Sequence, residues 1–356
     1  MNGAGPAVWR VFQGLLALGL AVWSRAATPG LREASPHSST SQTRLTQQAQ
    51  IEYSPWDLVT ALAWSPDGAT LAVAAGDSIY FYRSRGWELL TRVRLGALTH
   101  GLDFSPDGRW LAAGSRDGAV RLWETAQIAP GAELGSGQVI DAHRKGVNAV
   151  RFSPVEARFA SGGNDAIARF WGAPAGEALG MTIGGSFAVP SIDFSLDGQI
   201  LAVVNGEMVR LRDTSSERIV GTFQSAAPLY YVEFSPNGEE IVATGNDNLI
   251  RIWKTDQAYR TAQPVYPEPQ LLIGHNGREG TFRALVWKAV YSPDGKVIIS
   301  AGGDGTIRVW EAQSGALVAS YPAHSGGATS LAFEPGGSRI ASGGLDSRVV
   351  IWSLQP

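Results

Sequence analysis

One short phrase returns seven times along this chain. It reads "AWSPDG" at 63–68, "DFSPDG" at 103–108, "RFSPVE" at 151–156, "DFSLDG" at 193–198, "EFSPNG" at 233–238, "YSPDG" at 291–295 and "AFEPGG" at 332–337. An alternating apolar stretch precedes each copy. A run of small residues such as "LAAGS" or "IASGG" follows, then a turn, then a closing "VRLW", "ARFW", "IRIW" or "IRVW" in most units. The serine of the phrase (glutamate in the last copy) falls at 65, 105, 153, 195, 235, 292 and 334, so the spacings are 40, 48, 42, 40, 57 and 42. A period near 40 residues with strand–turn–strand content predicts one four-stranded sheet per unit. The turn chemistry agrees: proline presets φ, the aspartate or asparagine bonds its own backbone, and glycine accepts φ > 0. The 43 glycines and 19 prolines are what many short strands with tight turns require.

These units resemble the WD-repeat β-propeller family, in seven copies from Ile51 to Trp352. The resemblance implies an all-β, seven-bladed propeller of four-stranded antiparallel blades. The physics is consistent, because a small twisted sheet cannot bury both faces alone, whereas neighbours in a ring cover them. "IWSLQP" stops just after the third strand of the last unit, and "QQAQIEYSP" at 47–55 stands where a fourth strand precedes the first unit. That segment is expected to complete blade seven and clasp the ring.

"ASGGNDAIARFW" at 160–171, with His143 upstream, places a serine, a histidine and an aspartate in one short region. A catalytic triad would read this way. The family pattern implies instead a structural tetrad of histidine, serine, aspartate and tryptophan in each blade. His143, Ser161, Asp165 and Trp171 match it; so do His324, Ser342, Asp346 and Trp352, and His275, Ser300, Asp304 and Trp310, the last with seven extra residues between histidine and serine. Catalysis needs one triad, while a repeated architecture needs a tie per blade. No nucleophile elbow accompanies any copy. The set degrades elsewhere. Asp117 with Trp123 and Asp247 with Trp253 lack the histidine, and His100 lies too close to Ser105 to supply it. Tyr82 and Arg212 stand at the tryptophan position of the first and fourth units.

Other constellations are weaker. Asp103, Asp193 and Glu233 share one equivalent position, and Arg121, Arg210 and Arg251 stand two residues before the tryptophan position of the same units. The functional reading is an acidic ring for a cation near the channel; local ion pairs at blade edges are the expected arrangement. The glycine pairs Gly162–Gly163 and Gly302–Gly303 lack the lysine and helix of a phosphate loop. Five histidines, three of them in tetrads, and no cysteine leave no expected metal site or cofactor.

At the N-terminus, Arg10 precedes the apolar run "VFQGLLALGLAVW", then "SRAATPG". This reads as a signal peptide over 1–27, cleaved near Ala26 or Ala27, which predicts export to the periplasm, envelope or exterior. Thirteen residues are short for a membrane span. Residues 28–46 read as a flexible polar linker, and 47–356 as the propeller. A net charge of -3 gives no pull toward nucleic acid.

The resemblance implies a non-catalytic platform for a protein or peptide partner. The alternative is a small-molecule- or sugar-binding, or hydrolase- or lactonase-like, propeller that uses its central channel. The expected docking face carries the histidine loops and aspartate turns. It would include Arg116, Asn164, Asn246 and Leu345 before the aspartates, and Arg278, Phe282 and Arg283 on the insertion of the sixth unit. The stretch at 254–270 is the competing dock on the opposite face.

Overall fold

The computed structural model describes residues 43–256, 267–277 and 284–355. They form seven four-stranded antiparallel sheets. In the third, Val147–Phe152, Arg158–Gly163, Ile167–Gly172 and Ala178–Gly184 lie in sequence order. The expected all-β propeller is therefore the observed one. Its last blade is built from both ends of the described chain. Arg44–Glu52 pairs antiparallel with Arg348–Gln355, from Arg44 opposite Gln355 to Glu52 opposite Arg348, with a bulge between Gln47 and Ala49.

The closing strand starts earlier than its sequence suggests. Arg44, Leu45 and Thr46, assigned above to the polar linker, are already paired in this strand. Leu45 is buried, and its backbone N–H donates to Tyr321 Oη at 3.0 Å. One leucine among polar neighbours is a weak strand signal, but it fills the outer end of the blade 6–blade 7 core. The signal peptide and the linker up to residue 42 lie outside the described residues.

The recurring phrase folds as its chemistry requires. Ser65 Oγ donates to Asp67 Oδ1 at 2.5 Å and accepts the N–H of Thr70 at 2.9 Å, fastening the end of one strand to the start of the next. The same pair of bonds recurs at Ser105, Ser195, Ser235 and Ser292. Gly68 closes this turn at φ +67°, where an L-residue with a Cβ is disfavoured.

Seven buried apolar clusters lie between the blades, one at each junction around the ring, including one that joins blade seven to blade one. Each middle strand therefore serves two cores. Along Trp110–Ser115, Leu111 and Ala113 pack toward blade one, while Ala112 packs toward blade three. This is why these strands read as continuous small and apolar runs and not as polar–apolar alternations. Near the axis the blades nearly touch. A Cβ on Gly101 would sit 2.7 Å from the backbone nitrogen of Val150 in the next blade.

Candidate functional site

The three tetrads form as closed hydrogen-bond chains. Trp171 Nε1–H donates to Ser161 Oγ at 2.8 Å, Ser161 Oγ lies 2.8 Å from His143 Nε2, and His143 Nδ1 lies 2.8 Å from Asp165 Oδ1. Blade six repeats this with Trp310, Ser300, His275 and Asp304, and blade seven with Trp352, Ser342, His324 and Asp346. Every group is satisfied when the hydroxyl donates to Nε2 and Nδ1–H donates to the carboxylate. Burial holds His143 and His275 below the ordinary imidazole range, although the facing aspartate opposes it. Burial would raise Asp165, but bonds from His143 and Arg169 keep it low and ionised. The resulting neutral imidazole bound to an anion is a triad geometry with no access. Ser161, Ser300 and Ser342 are all 0% exposed, so no substrate carbonyl reaches their hydroxyls.

Blades two and five show what replaces the tetrad. Their serine positions are Ala113 and Ala243, and Trp123 and Trp253 donate instead to the carbonyls of Gly135 and Pro267, each at 2.9 Å. Arg121 binds Asp117 with Nη2–Oδ2 at 2.6 Å, and Arg251 binds Asp247 in the same way.

Those ion pairs overturn the expected role of Asp103, Asp193 and Glu233. These acids do not pair with Arg121, Arg210 or Arg251, which stand on third strands. They lie on innermost strands and bridge successive blades. Asp103 Oδ2 accepts the N–H of Phe152 at 2.7 Å, Asp193 Oδ2 that of Phe234 at 2.8 Å, and Glu233 Oε1 that of Tyr291 at 3.0 Å. Arg151 reaches Asp193 at 3.3 Å and Asp103 at 4.0 Å, and donates to Tyr231 Oη at 3.3 Å. Tyr231 Oη donates in turn to Glu233 Oε2 at 2.5 Å. Lys288 Nζ donates to the Leu331 carbonyl at 2.7 Å and stands 5.3 Å over the Tyr231 ring. Arg151, at the equivalent position of blade three, and Lys288, two residues before the equivalent Val290 of blade six, supply the cations of a mixed network. Burial is the largest influence on each group: it pushes Asp103 up to about 6, despite Arg151, and Glu233 up to about 7, with Asp193 adding to it.

The Glu233 shift has a testable sign. A carboxyl raised in the folded protein contributes stability that is present below its ordinary value and lost as pH rises through about 7. Glutamine keeps an acceptor for Tyr291 and a donor for Tyr231 without titrating. The melting temperature of Glu233→Gln relative to the parent should therefore rise between pH 5 and 7.5; a constant difference across that range would contradict the assignment.

Beside this network lies an axial cavity of about 180 Å³, walled by residues from all seven blades. Its rim position is the fifth residue before each phrase serine: Thr60, His100, Asn148, Pro190, Tyr230, Trp287 and Thr329. His100, which fills no tetrad, belongs here. Burial and then Arg116 push its imidazole down to about 4. The signal for this ring was present in the sequence, as a position that carries six residue types in seven units while the one two residues on stays apolar.

Arg116, Asn164 and Leu345 stand in the cavity wall, on the side of the histidine loops. Asn164 Nδ2 donates to the Lys145 carbonyl at 3.3 Å, and Leu345 N–H to that of Gly327 at 3.0 Å. Asn246 is half-buried in the corresponding turn of blade five and is not part of that wall. Arg278, Phe282 and Arg283 lie outside the described residues, as do residues 257–266 of the competing dock. Among the described residues, no three His, Asp or Glu side chains are grouped to hold a metal ion, and no helix is long and apolar enough to cross a membrane.

The family described as "WD domain, G-beta repeat" matches residues 49–82, 97–124, 135–172, 217–254, 270–311 and 315–353. The matched segments pass over the first three strands of blade four, where Arg212 replaces the tryptophan. The chain is 25% identical over 255 residues to a serine-threonine kinase receptor-associated protein of Gallus gallus, covering 70% of this chain and 65% of that protein. It is 26% identical over 252 residues to telomerase protein component 1 of Rattus norvegicus, covering 70% of this chain and 9% of that protein. Over 188 residues it is 28% identical to eukaryotic translation initiation factor 3 subunit I of Scheffersomyces stipitis, covering 51% and 53%. The chain thus spans under two thirds of the length of these relatives.

Proposed function

This chain belongs to the WD40-repeat family, and from that premise we propose that it is a non-catalytic platform that docks a protein or peptide partner on the face bearing the tetrad aspartates. The observation that carries this reading is the contrast between the two kinds of polar group. The repeated serine–histidine–aspartate sets are sealed and spent on holding blades together. What the disc presents around its axis is varied, with Arg116, Asn164 and Leu345 beside a ring of seven positions that carries six residue types. Varied chemistry on a rigid repeat scaffold is how one partner is distinguished from another. The names of the relatives point the same way, since a receptor-associated protein, a telomerase component and an initiation-factor subunit are each named for what they assemble with.

The partner is sought by affinity purification of the native protein. The insertion of blade six supplies aromatic and arginine side chains of the kind enriched in hot spots. Phe282→Ala combined with Arg283→Ala should weaken partner binding by more than about 2 kcal/mol with melting unchanged. Parent-like binding by that double variant, with loss of binding in Tyr259→Ala and Tyr266→Ala, would move the dock to the opposite face.

We further propose that the platform works outside the cytoplasm. Support comes from the apolar run after Arg10 and the small residues at Ser24, Ala26 and Ala27. Mass spectrometry of the native protein should find an N-terminus at Ala27 or Thr28. An intact Met1 in the soluble cytosolic fraction would refute it.

A further inference from the structure

We propose that the axial cavity is a receptor for a small organic carboxylate, with its charged end held by Lys288 and Arg151 and its apolar body against the rings of Tyr230 and Trp287. This goes beyond docking on the face and does not depend on it.

Charge placement argues for an anion. Arg116, Arg151 and Lys288 are in the cavity wall, whereas Asp103, Asp193 and Glu233 are not. Each of those acids already accepts the backbone N–H of the next blade. Lys288 forms no ion pair with any carboxylate among the described residues; its ammonium has a carbonyl and the face of Tyr231. Burial, then Arg151, pushes Lys288 down to about 8 against the pull of Glu233, Asp103 and Asp193, and burial, then Arg116, pushes His100 down to about 4. An entering anion offsets the part of each shift that comes from the neighbouring arginine.

The wall also argues for which anion. Beside the cations it sets Leu102, Val150 and Ile192 and the rings of Tyr230 and Trp287 among polar side chains such as Asn148, Ser191 and Thr329. Phosphate carries charge on every side and would set part of it against those rings, where an unsatisfied buried oxygen is costly. A carboxylate carries its charge at one end and leaves the rest apolar. About 150 Å³ of apolar cavity is enough for benzene, so the volume here suits a ring-sized acid. The wall also holds an unmet donor: Trp287 Nε1 is enclosed and has no acceptor among the described residues.

The carboxylate could be a free acid or the terminus of a peptide, and the experiment separates them. Benzoate, benzamide, inorganic phosphate, acetyl-Gly-Phe and its C-terminal amide are titrated into the full chain and followed by calorimetry. Benzoate or acetyl-Gly-Phe should saturate one site per chain, at least about tenfold more tightly than the matched amide, with phosphate failing to displace either. Tighter binding of benzoate assigns a free acid, and tighter binding of the peptide assigns a protein terminus. Lys288→Met, folded by its melting curve, should lose at least about tenfold in affinity. Should that variant not fold, Trp287→Phe and the acid-against-amide difference in the parent decide. Equal binding of acid and amide, no saturation by either acid, or a folded Lys288→Met that binds like the parent overturns the proposal.

Discussion

A chain beginning at Ser54 should aggregate, or melt far below the parent. The deletion removes Arg44–Glu52, the fourth strand of blade seven, whose eight paired positions hold Arg348–Gln355 from one end to the other. It takes away Leu45 from the blade 6–blade 7 core, together with Ala49 and Ile51, which pack on the blade 7–blade 1 core. A net 0.5–1.5 kcal/mol per hydrogen bond, together with the lost apolar burial, makes the deficit on the order of 5 kcal/mol or more. That is comparable with the whole stability of an ordinary domain, about 5–15 kcal/mol. The exposed strand would also be a long unpaired edge, open to another chain. Leu45→Asp keeps the ladder but buries a charge, and should show a smaller loss of melting temperature. Expression of the truncated chain as a soluble protein with the parent's melting curve would mean that the ring does not need its clasp.

The propeller was legible in the sequence because its signals are local and repeated. The serine–aspartate turn is complete within six residues, from Ser65 to Thr70, and seven imperfect copies reinforce one another. The clasp was legible for a different reason: three strands in the last unit require a fourth. Its first residues were not, since Leu45 is informative only once Tyr321, 276 positions away, is known to lie beside it. The channel was the least legible part. Asp103, Asp193 and Glu233 were visible as equivalent residues, but their partners come from other blades, and equivalent positions in a ring face a common axis that no linear spacing displays. Arg151 sits 42 residues from Asp193 and 80 from Tyr231, yet contacts both. Pairing the acids with Arg121, Arg210 and Arg251 followed shared unit membership, where the contacts follow adjacency across blades.

Ser300→Ala should destabilise the protein by about 2–4 kcal/mol and remove no enzymatic activity. Ser300 Oγ is the acceptor for Trp310 Nε1–H and the neighbour of His275 Nε2, both at 2.8 Å, in a site with no access to water. Alanine leaves two enclosed polar groups without a partner, each costing about 1–3 kcal/mol. The chain itself contains the comparison. Blade two carries Ala113 at this position and is stable because no histidine is present and Trp123 donates to Gly135 O. Blade six has a histidine and a serine-bound tryptophan, so alanine there has nothing to compensate it. Ala113→Ser, by contrast, should change melting little or lower it slightly, since it buries a hydroxyl beside a tryptophan whose N–H is already used. Esters, lactones and glycosides serve as substrates for the activity measurement. A parent turnover that disappears in Ser300→Ala, with melting unchanged, would make the tetrad a catalytic triad after all. A melting loss without any turnover to lose fits a serine whose hydroxyl is spent, from both sides, on its own blade.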